Sequence, residues 1–286
     1  MQTHDHGAVR EQVIRPSRSS LNLNLGELWR YRELIGVLFW RDFTARFRQT
    51  VLGPAWYILT PLVTAVVFTI VFAGFAQVPT DGLPPLLFYQ SGLLCWNYFS
   101  GVLGSASGTL TGNAGLFSKI YFPRLIPAIS GALSALTGVG IQLVTFYCFY
   151  FYLRGSAGAG YGTIVQVALL PLLLLQTAVI GIGCGLILSS MTAKYRDLSH
   201  ASGFLLQIWM YATPVIVPAS RIPEKWQWLL HVNPVAPLVE NFRIVLLGSG
   251  SFNAAATAVS VAASLLLFAA GLVMFNRTQR TFVDTV

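Results

Sequence analysis

Four histidines, three cysteines and ten carboxylates are the side chains of this 286-residue chain best suited to proton transfer, nucleophilic attack or metal binding. Their spacing supports none of these. Cys95, Cys148 and Cys184 all fall inside apolar runs, where a thiol behaves as a small hydrophobe. An odd count with no loop cysteine gives neither a disulfide framework nor a zinc site. His4 and His6 are close enough to share a metal, but a solvated chain tip is the plainer reading. Chemistry inside a membrane needs acids, imidazoles or metal ligands at membrane depth. Only His200 approaches that position, and no apolar run offers it a carboxylate. No G-x-x-x-x-G-K-[ST] loop occurs, so nucleotide hydrolysis by that route is excluded. We assign no catalytic residue and no metal site.

The remaining charges mark boundaries. Every Lys, Arg, Asp and Glu lies outside six apolar runs, near 55–76, 87–110, 126–153, 163–190, 199–217 and 254–275, each 19–28 residues long. Such lengths cross a hydrocarbon core of roughly 30 Å as helices. A charge at the centre of one costs roughly 2.5–3.5 kcal/mol, so its absence from all six is informative. Hydrophobic residues make up 55% and charged ones 10%, far less charge than a soluble domain carries. The fold class is therefore all-α, polytopic and membrane-embedded, with six transmembrane helices.

The net charge of +8 does not indicate nucleic acid, because the bases are sorted by side. With six crossings, fourteen of the eighteen Lys and Arg share a face with the termini and the loops 111–125 and 191–198. Only Arg154, Arg221, Lys225 and Arg243 fall opposite. Positive charge is retained in the cytoplasm, so both termini are expected there.

Residues 1–24 are polar and are expected to form a disordered cytoplasmic leader, uncleaved for want of a long apolar core. Residues 25–53 read as an amphipathic interface helix, with Leu28, Tyr31, Ile35, Leu38 and Phe39 on one face and Phe43 and Phe47 continuing it. It is too short and too basic to span, so it is expected in the cytoplasmic interface. It is either a membrane-surface anchor or a docking element. Asp42 precedes Arg46 by four residues, a favourable helix pair.

Residues 54–286 form the membrane domain. Pro54 suits a first helical turn and Pro61 is expected to kink the first span. Gly101, Gly104, Gly108 and Gly112 form a small-residue ladder of the kind that lets helices approach closely. In 113–121, Asn113 is expected to cap a helix carrying Leu116, Phe117, Ile120 and Tyr121, which Pro123 stops. So apolar a cytoplasmic helix needs a surface, either headgroups or a protein groove. Residues 218–253 are interrupted by prolines and contain Trp226 and Trp228, then a stripe that Asn233 would cap, with Pro234 in its first turn and Gly248 past its end. Two apolar pieces of about ten residues are too short to span, so we expect a re-entrant outer hairpin. The tail is 276–286.

The string WRYRELIGVLFWRDFTARFRQTVLGPAWYILTPL (29–62) closely resembles the start of the permease subunits of type-2 ABC exporters for bacterial surface polysaccharides, the O-antigen, capsule and teichoic-acid group. The resemblance continues through LFSKIYFPRLIPAIS (116–130), AKYRDL (193–198), TPVIVP, RIPEKWQWLLHVNPV and Phe242-Arg243, covering about 25–275. It implies a homodimer in the bacterial inner membrane with two ATPase subunits below, which hold the ATP and magnesium, while this chain binds no cofactor. It further implies an undecaprenyl-linked glycan as substrate. By resemblance, Trp29, Tyr31, Arg41 and Arg46 belong to the interface helix. Asn113, Leu116, Phe117, Lys119, Ile120 and Tyr121 belong to the main coupling helix, with Phe117, Ile120 and Tyr121 in an ATPase groove. Arg196, in the loop 194–197, would be a secondary contact.

Aromatic rings stack on the apolar faces of sugars while tolerating sliding, which makes Trp56, Tyr57, Phe88, Tyr89, Trp96 and Tyr98 candidates for a glycan path. Aromatic residues also concentrate at membrane interfaces. Three other readings stay open: an ABC-2 permease for a drug, lipid or peptide, an intramembrane enzyme of lipid-linked glycans, and a passive scaffold. The neighbouring reading frames would discriminate among them.

Overall fold

Uncharged runs of Leu, Val, Phe and Ala leave a backbone in hydrocarbon with one local solution, which is to satisfy its own hydrogen bonds as helix. The computed structural model describes residues 25–48, 50–117, 119–157, 168–195 and 197–282, and all regular structure among them is helical. The leader 1–24, Arg196, the first residues of the run 163–190, the last four of the tail and the side chain of Arg46 lie outside the described residues.

Two short helices open the chain, α1 (Leu25–Arg30) and α2 (Arg32–Phe47), broken at Tyr31. A turn at Gly53–Ala55 feeds α3 (Trp56–Phe68), which contains Pro61 and continues as a π-helical stretch, Thr69–Phe75. Then come α4 (Pro85–Ser107), α5 (Thr109–Gly112), α6 (Ala114–Phe117), α7 (Ile126–Ala157), α8 (Leu170–Thr192) and α9 (Leu198–Tyr211). Beyond two single turns lie α10 (Gln227–Val232), α11 (Ala236–Leu247) and α12 (Ala254–Phe282).

Among the described residues, four helical stretches are long and apolar enough to cross a membrane: Gly53–Phe75, Ile126–Leu153, Leu170–Thr192 and Ala254–Gln279. The two other expected spans differ for separate reasons. Helix α4 has 23 residues, about 34 Å at 1.5 Å per residue, but it carries Gln90, Ser91, Asn97 and Ser100. It runs through the middle of the protein, with Phe88, Tyr89, Leu94, Cys95, Phe99 and Val102 fully buried. A helix walled in by protein needs no lipid-compatible surface. Helix α9 has 14 residues, about 21 Å, and turns follow from 212.

The helices close around α4. Its largest cluster joins Phe88, Leu94 and Phe99 to Phe146 of α7, Ile180 of α8 and Val239 and Phe242 of α11. Helix α8 sits between α4 and α12, and glycine sets both distances. A methyl on Gly181 would meet the Val102 side chain at 2.9 Å, and one on Gly183 would meet the Phe268 backbone nitrogen at 2.6 Å. In the expected ladder at 101–112 only Gly101 faces another helix, where a methyl would meet Ala135 Cβ at 3.4 Å, and a methyl on Gly104 or Gly112 would meet nothing within 4 Å.

The two ends of the bundle differ. At one, Leu110 N–H donates to Ser189 Oγ at 3.3 Å, which brings α5 beside the end of α8. At the other, Ser220 Oγ donates to Asp81 Oδ2 at 2.8 Å, and Arg243 lies 3.8 Å from the Phe88 ring centroid.

Candidate functional site

The first group of expected site residues collects at the end carrying α1, α2, α5 and α6. The 113–121 stretch is not one helix. Its helical part is α6, four residues long, held by Leu116 and Phe117 N–H donating to the Asn113 carbonyl at 2.9 and 3.0 Å. Glycines at 112 and 115 and the Pro123 stop leave too little chain for a longer run. The Asn113 side chain reaches backwards and sideways. Its Nδ2 donates to the Thr109 carbonyl at 3.2 Å, and its Oδ1 accepts from Arg41 Nη2 of α2 at 3.4 Å. Arg41 also pairs with its neighbour Asp42, Nε to Oδ1 at 2.9 Å.

The expected docking face divides in two. Phe117 is turned inward, against the expectation that it fills a partner's groove. Its ring lies 5.3 Å from that of Phe122 and 5.4 Å from the Arg124 guanidinium carbon. It packs against two clusters, one containing Leu28, Leu38 and Ile126, the other Leu110, Leu186, Leu272 and Phe275. Leu116 is half-buried in the first of these. Ile120 and Tyr121 are 54% and 65% exposed, with Lys119 exposed beside them. Nearby, Lys194 Nζ stands 5.3 Å from the centroid of the exposed Tyr195 ring.

Helices α1 and α2 bury more than one anchoring stripe. Leu28 and Leu38 are buried, with Tyr31, Leu34 and Ile35 packed beside them against Phe122 and Ile126. Trp29, Val37 and Trp40 remain exposed. One face is therefore committed to the protein and an aromatic one left over.

The candidate ring path is mostly a wall. Phe88 and Tyr89 are fully buried, and Trp96 and Tyr98 nearly so. Trp96 and Phe99 bracket Trp209 of α9, at 6.5 and 5.0 Å between centroids. Such rings hold helices together. Tyr57 lies against α7, where a methyl on Gly138 would meet its ring at 2.7 Å. Trp56, at 49% exposure, is the one of the six that presents its ring.

The opposite end holds the most connected polar residues. Asn233 Oδ1 accepts from Trp209 Nε1 at 2.9 Å and from Val235 N–H at 3.0 Å. Its Nδ2 donates to the Ala212 carbonyl at 3.1 Å and Thr213 Oγ1 at 2.9 Å. It thus closes the turn into α11 while fastening it to α9. Pro234 offers its carbonyl to Ser260 Oγ at 2.5 Å, and Gly248 ends α11 at φ 67°, its N–H on the Ile244 carbonyl. Trp226 and Trp228 are about half exposed beside this fastened core.

Arg243 is the residue that pattern reading missed. It is buried, donates to Glu240 Oε1 and the Pro214 carbonyl, both at 2.8 Å, and lies over Phe88. Burial pushes its pKa down, opposed by the carboxylates of Glu240 and Asp81. The signal was present: Arg243 lies four residues after Val239 and so on the same apolar stripe of α11, with Glu240 three residues before it.

Between α8, α11 and α12 an apolar cavity of about 610 Å³ opens, lined by Leu172, Val179, Val245, Val261 and Leu265 among others. The polar groups at its edge are satisfied: Gln176 donates to Ser260 and Asn241 to Thr257.

The profile of a protein family described as "ABC-2 type transporter" matches residues 33–247, from α2 to the end of α11. The chain is similar to the O-antigen export system permease protein RfbA of Klebsiella pneumoniae, at 24% identity over 268 residues, 92% of this chain and 98% of that protein. It is 26% identical to RfbA of Myxococcus xanthus over 264 residues, 91% of this chain and 98% of that one. A more distant match is the polysialic acid transport protein KpsM of Escherichia coli, 23% identical over 207 residues, 72% and 78% of the two chains.

Proposed function

The chain belongs to the ABC-2 type transporter family, and from that premise we propose that it is the permease subunit of an ATP-driven exporter of bacterial surface polysaccharide. The observation that carries this reading is the end-to-end match to relatives named as O-antigen export permeases, at 98% of their length. The protein is a transport subunit of the inner membrane. The sequence has no phosphate loop, so in this reading ATP and magnesium bind a separate ATPase subunit, two copies of which serve a permease homodimer. The substrate is a glycan on an undecaprenyl-type carrier, and this chain holds no cofactor.

Six crossings with both termini cytoplasmic are supported by the contacts made on either side of α9. Ser189, ahead of α9, bonds α5 at one end of the bundle, whereas Ser220 and Pro214, after it, meet Asp81 and Arg243 at the other. Helix α9 must therefore carry the chain from one side to the other despite its length. The outer hairpin 218–253 then sits over the external end. The exposed pair Ile120 and Tyr121, with Lys119 and the 194–197 loop, forms the surface on which the ATPase docks. Trp29 and Trp40 of α1 and α2 face the headgroups.

The test is deletion and complementation in the source cell. Removing the chain should abolish surface glycan and leave lipid-linked glycan inside, and the full chain should restore export. Normal surface glycan in the deletion strain, with a changed tolerance to a drug or peptide, would move the assignment to another ABC-2 substrate.

A further inference from the structure

Arg124 does more than border a loop. Its Nη1 donates to the Gln279 carbonyl at 2.7 Å, 155 residues away, while its guanidinium lies against the Phe117 ring. Gln279 falls within the last four residues of α12, whose carbonyls have no partner inside the helix. A cation there also meets the negative end of the helix dipole. Phe117 packs in turn against the cluster containing Leu272 and Phe275 of α12. The end of the last span is therefore gripped twice by the 113–124 segment, once through a carbonyl and once through a ring. The same segment holds α2 through Asn113 and Arg41.

We infer that Arg124 is a positioning residue for energy coupling: it caps the end of α12 and rests on Phe117, so that a displacement of the 113–124 segment carries the last span with it. The inference rests on the reading that the ATPase docks at Ile120 and Tyr121. Both exposed residues are three or four positions from Phe117 and Arg124, so a push on them reaches the cap directly. Pro123 stiffens the link, because its ring fixes the backbone between Phe122 and Arg124.

Spin labels at Gly115→Cys and Arg277→Cys, both exposed sites outside the proposed docking surface, in a version lacking Cys95, Cys148 and Cys184, test the cap. The expected distance distribution is narrow and the same in the isolated permease and in the ATP-bound and ADP-bound complexes. Arg124→Met should broaden it and lower glycan exported per ATP hydrolysed several-fold, and Arg124→Lys should recover part of both. Phe117→Leu, which keeps volume but removes the ring, should broaden it too. A parent distance that changes with nucleotide overturns the inference, as does a distribution indifferent to Arg124→Met or Phe117→Leu. Undiminished ATPase association in Ile120→Ser with Tyr121→Ser overturns the docking reading alone, since the isolated permease still judges the cap.

Discussion

Asn233 uses both of its polar atoms twice, which is the full capacity of Nδ2 as a donor and of Oδ1 as an acceptor. Of its partners, Val235 N–H is fully buried and has no water to turn to if Asn233 is removed, and Trp209 Nε1–H is half-buried. Losing this turn and stranding such donors costs about 2–4 kcal/mol in all. Asn233→Ala is therefore expected to lower the thermal unfolding midpoint of the purified permease and its abundance in the membrane. Asn233→Asp keeps both accepted bonds and should cost less, through the lost donation to the Ala212 carbonyl and a carboxylate set against that carbonyl. An unchanged midpoint in either variant would mean that the α9–α11 junction is held elsewhere. Sequence pattern placed Asn233 just before α11, but as its N-cap; in the structure Val235 holds that position and Asn233 closes the turn before it. Its bonds to Trp209 and Ala212 were not legible, because no local spacing encodes a contact across 21 or 24 residues. The buried rings of α4 illustrate the same limit. Phe88, Tyr89, Trp96 and Tyr98 have the composition of a sugar path and the placement of a core, and only packing distinguishes the two.

At the scale of elements, the 113–124 segment shows how a short apolar string can serve two surfaces. The sequence offered four apolar side chains in nine residues and one surface to bury them. The chain instead breaks after α6 and turns Phe117 in and Tyr121 out. Phe117→Ala and Tyr121→Ala should consequently fail differently. The first removes a half-buried ring that packs against two clusters, a part of the roughly 1.5–3 kcal/mol that full burial is worth, so it should reduce subunit abundance as well as export. The second removes an exposed ring and should leave abundance unchanged while weakening co-purification with the ATPase subunit. Equal loss of abundance in both would place Tyr121 in the fold and remove it from the docking surface. The long spans α3, α7, α8 and α12 were legible from hydropathy alone, because lipid dictates their surfaces. The exact extent of α9 and the break at Tyr31 were not, since turns within an apolar run leave no mark in composition.

The whole molecule constrains its own topology through the contacts between its ends. In the proposed path α9 climbs from the side of Ser189 to the side of Asp81 in 14 helical residues, about 21 Å against a hydrocarbon core of roughly 30 Å. The shortfall is met by the turns at 212–215, whose backbone is buried in protein: the Pro214 and Val215 carbonyls accept from Arg243, and Thr213 Oγ1 accepts from Asn233. Irregular backbone at membrane depth is tolerated where protein surrounds it, so the buried arginine and the short helix belong to one solution. Base asymmetry orients that path, with the 113–124 segment inside and the 218–221 turn outside. Cysteines introduced at the exposed positions Lys119 and Ser220, in a version lacking the three native cysteines, should react with an impermeant maleimide from opposite sides. In intact cells only the Ser220→Cys protein should label, and in inverted vesicles only the Lys119→Cys protein. Labelling of both sites in intact cells, with the membrane demonstrably sealed, would mean that α9 does not cross and that the chain returns by some other helix.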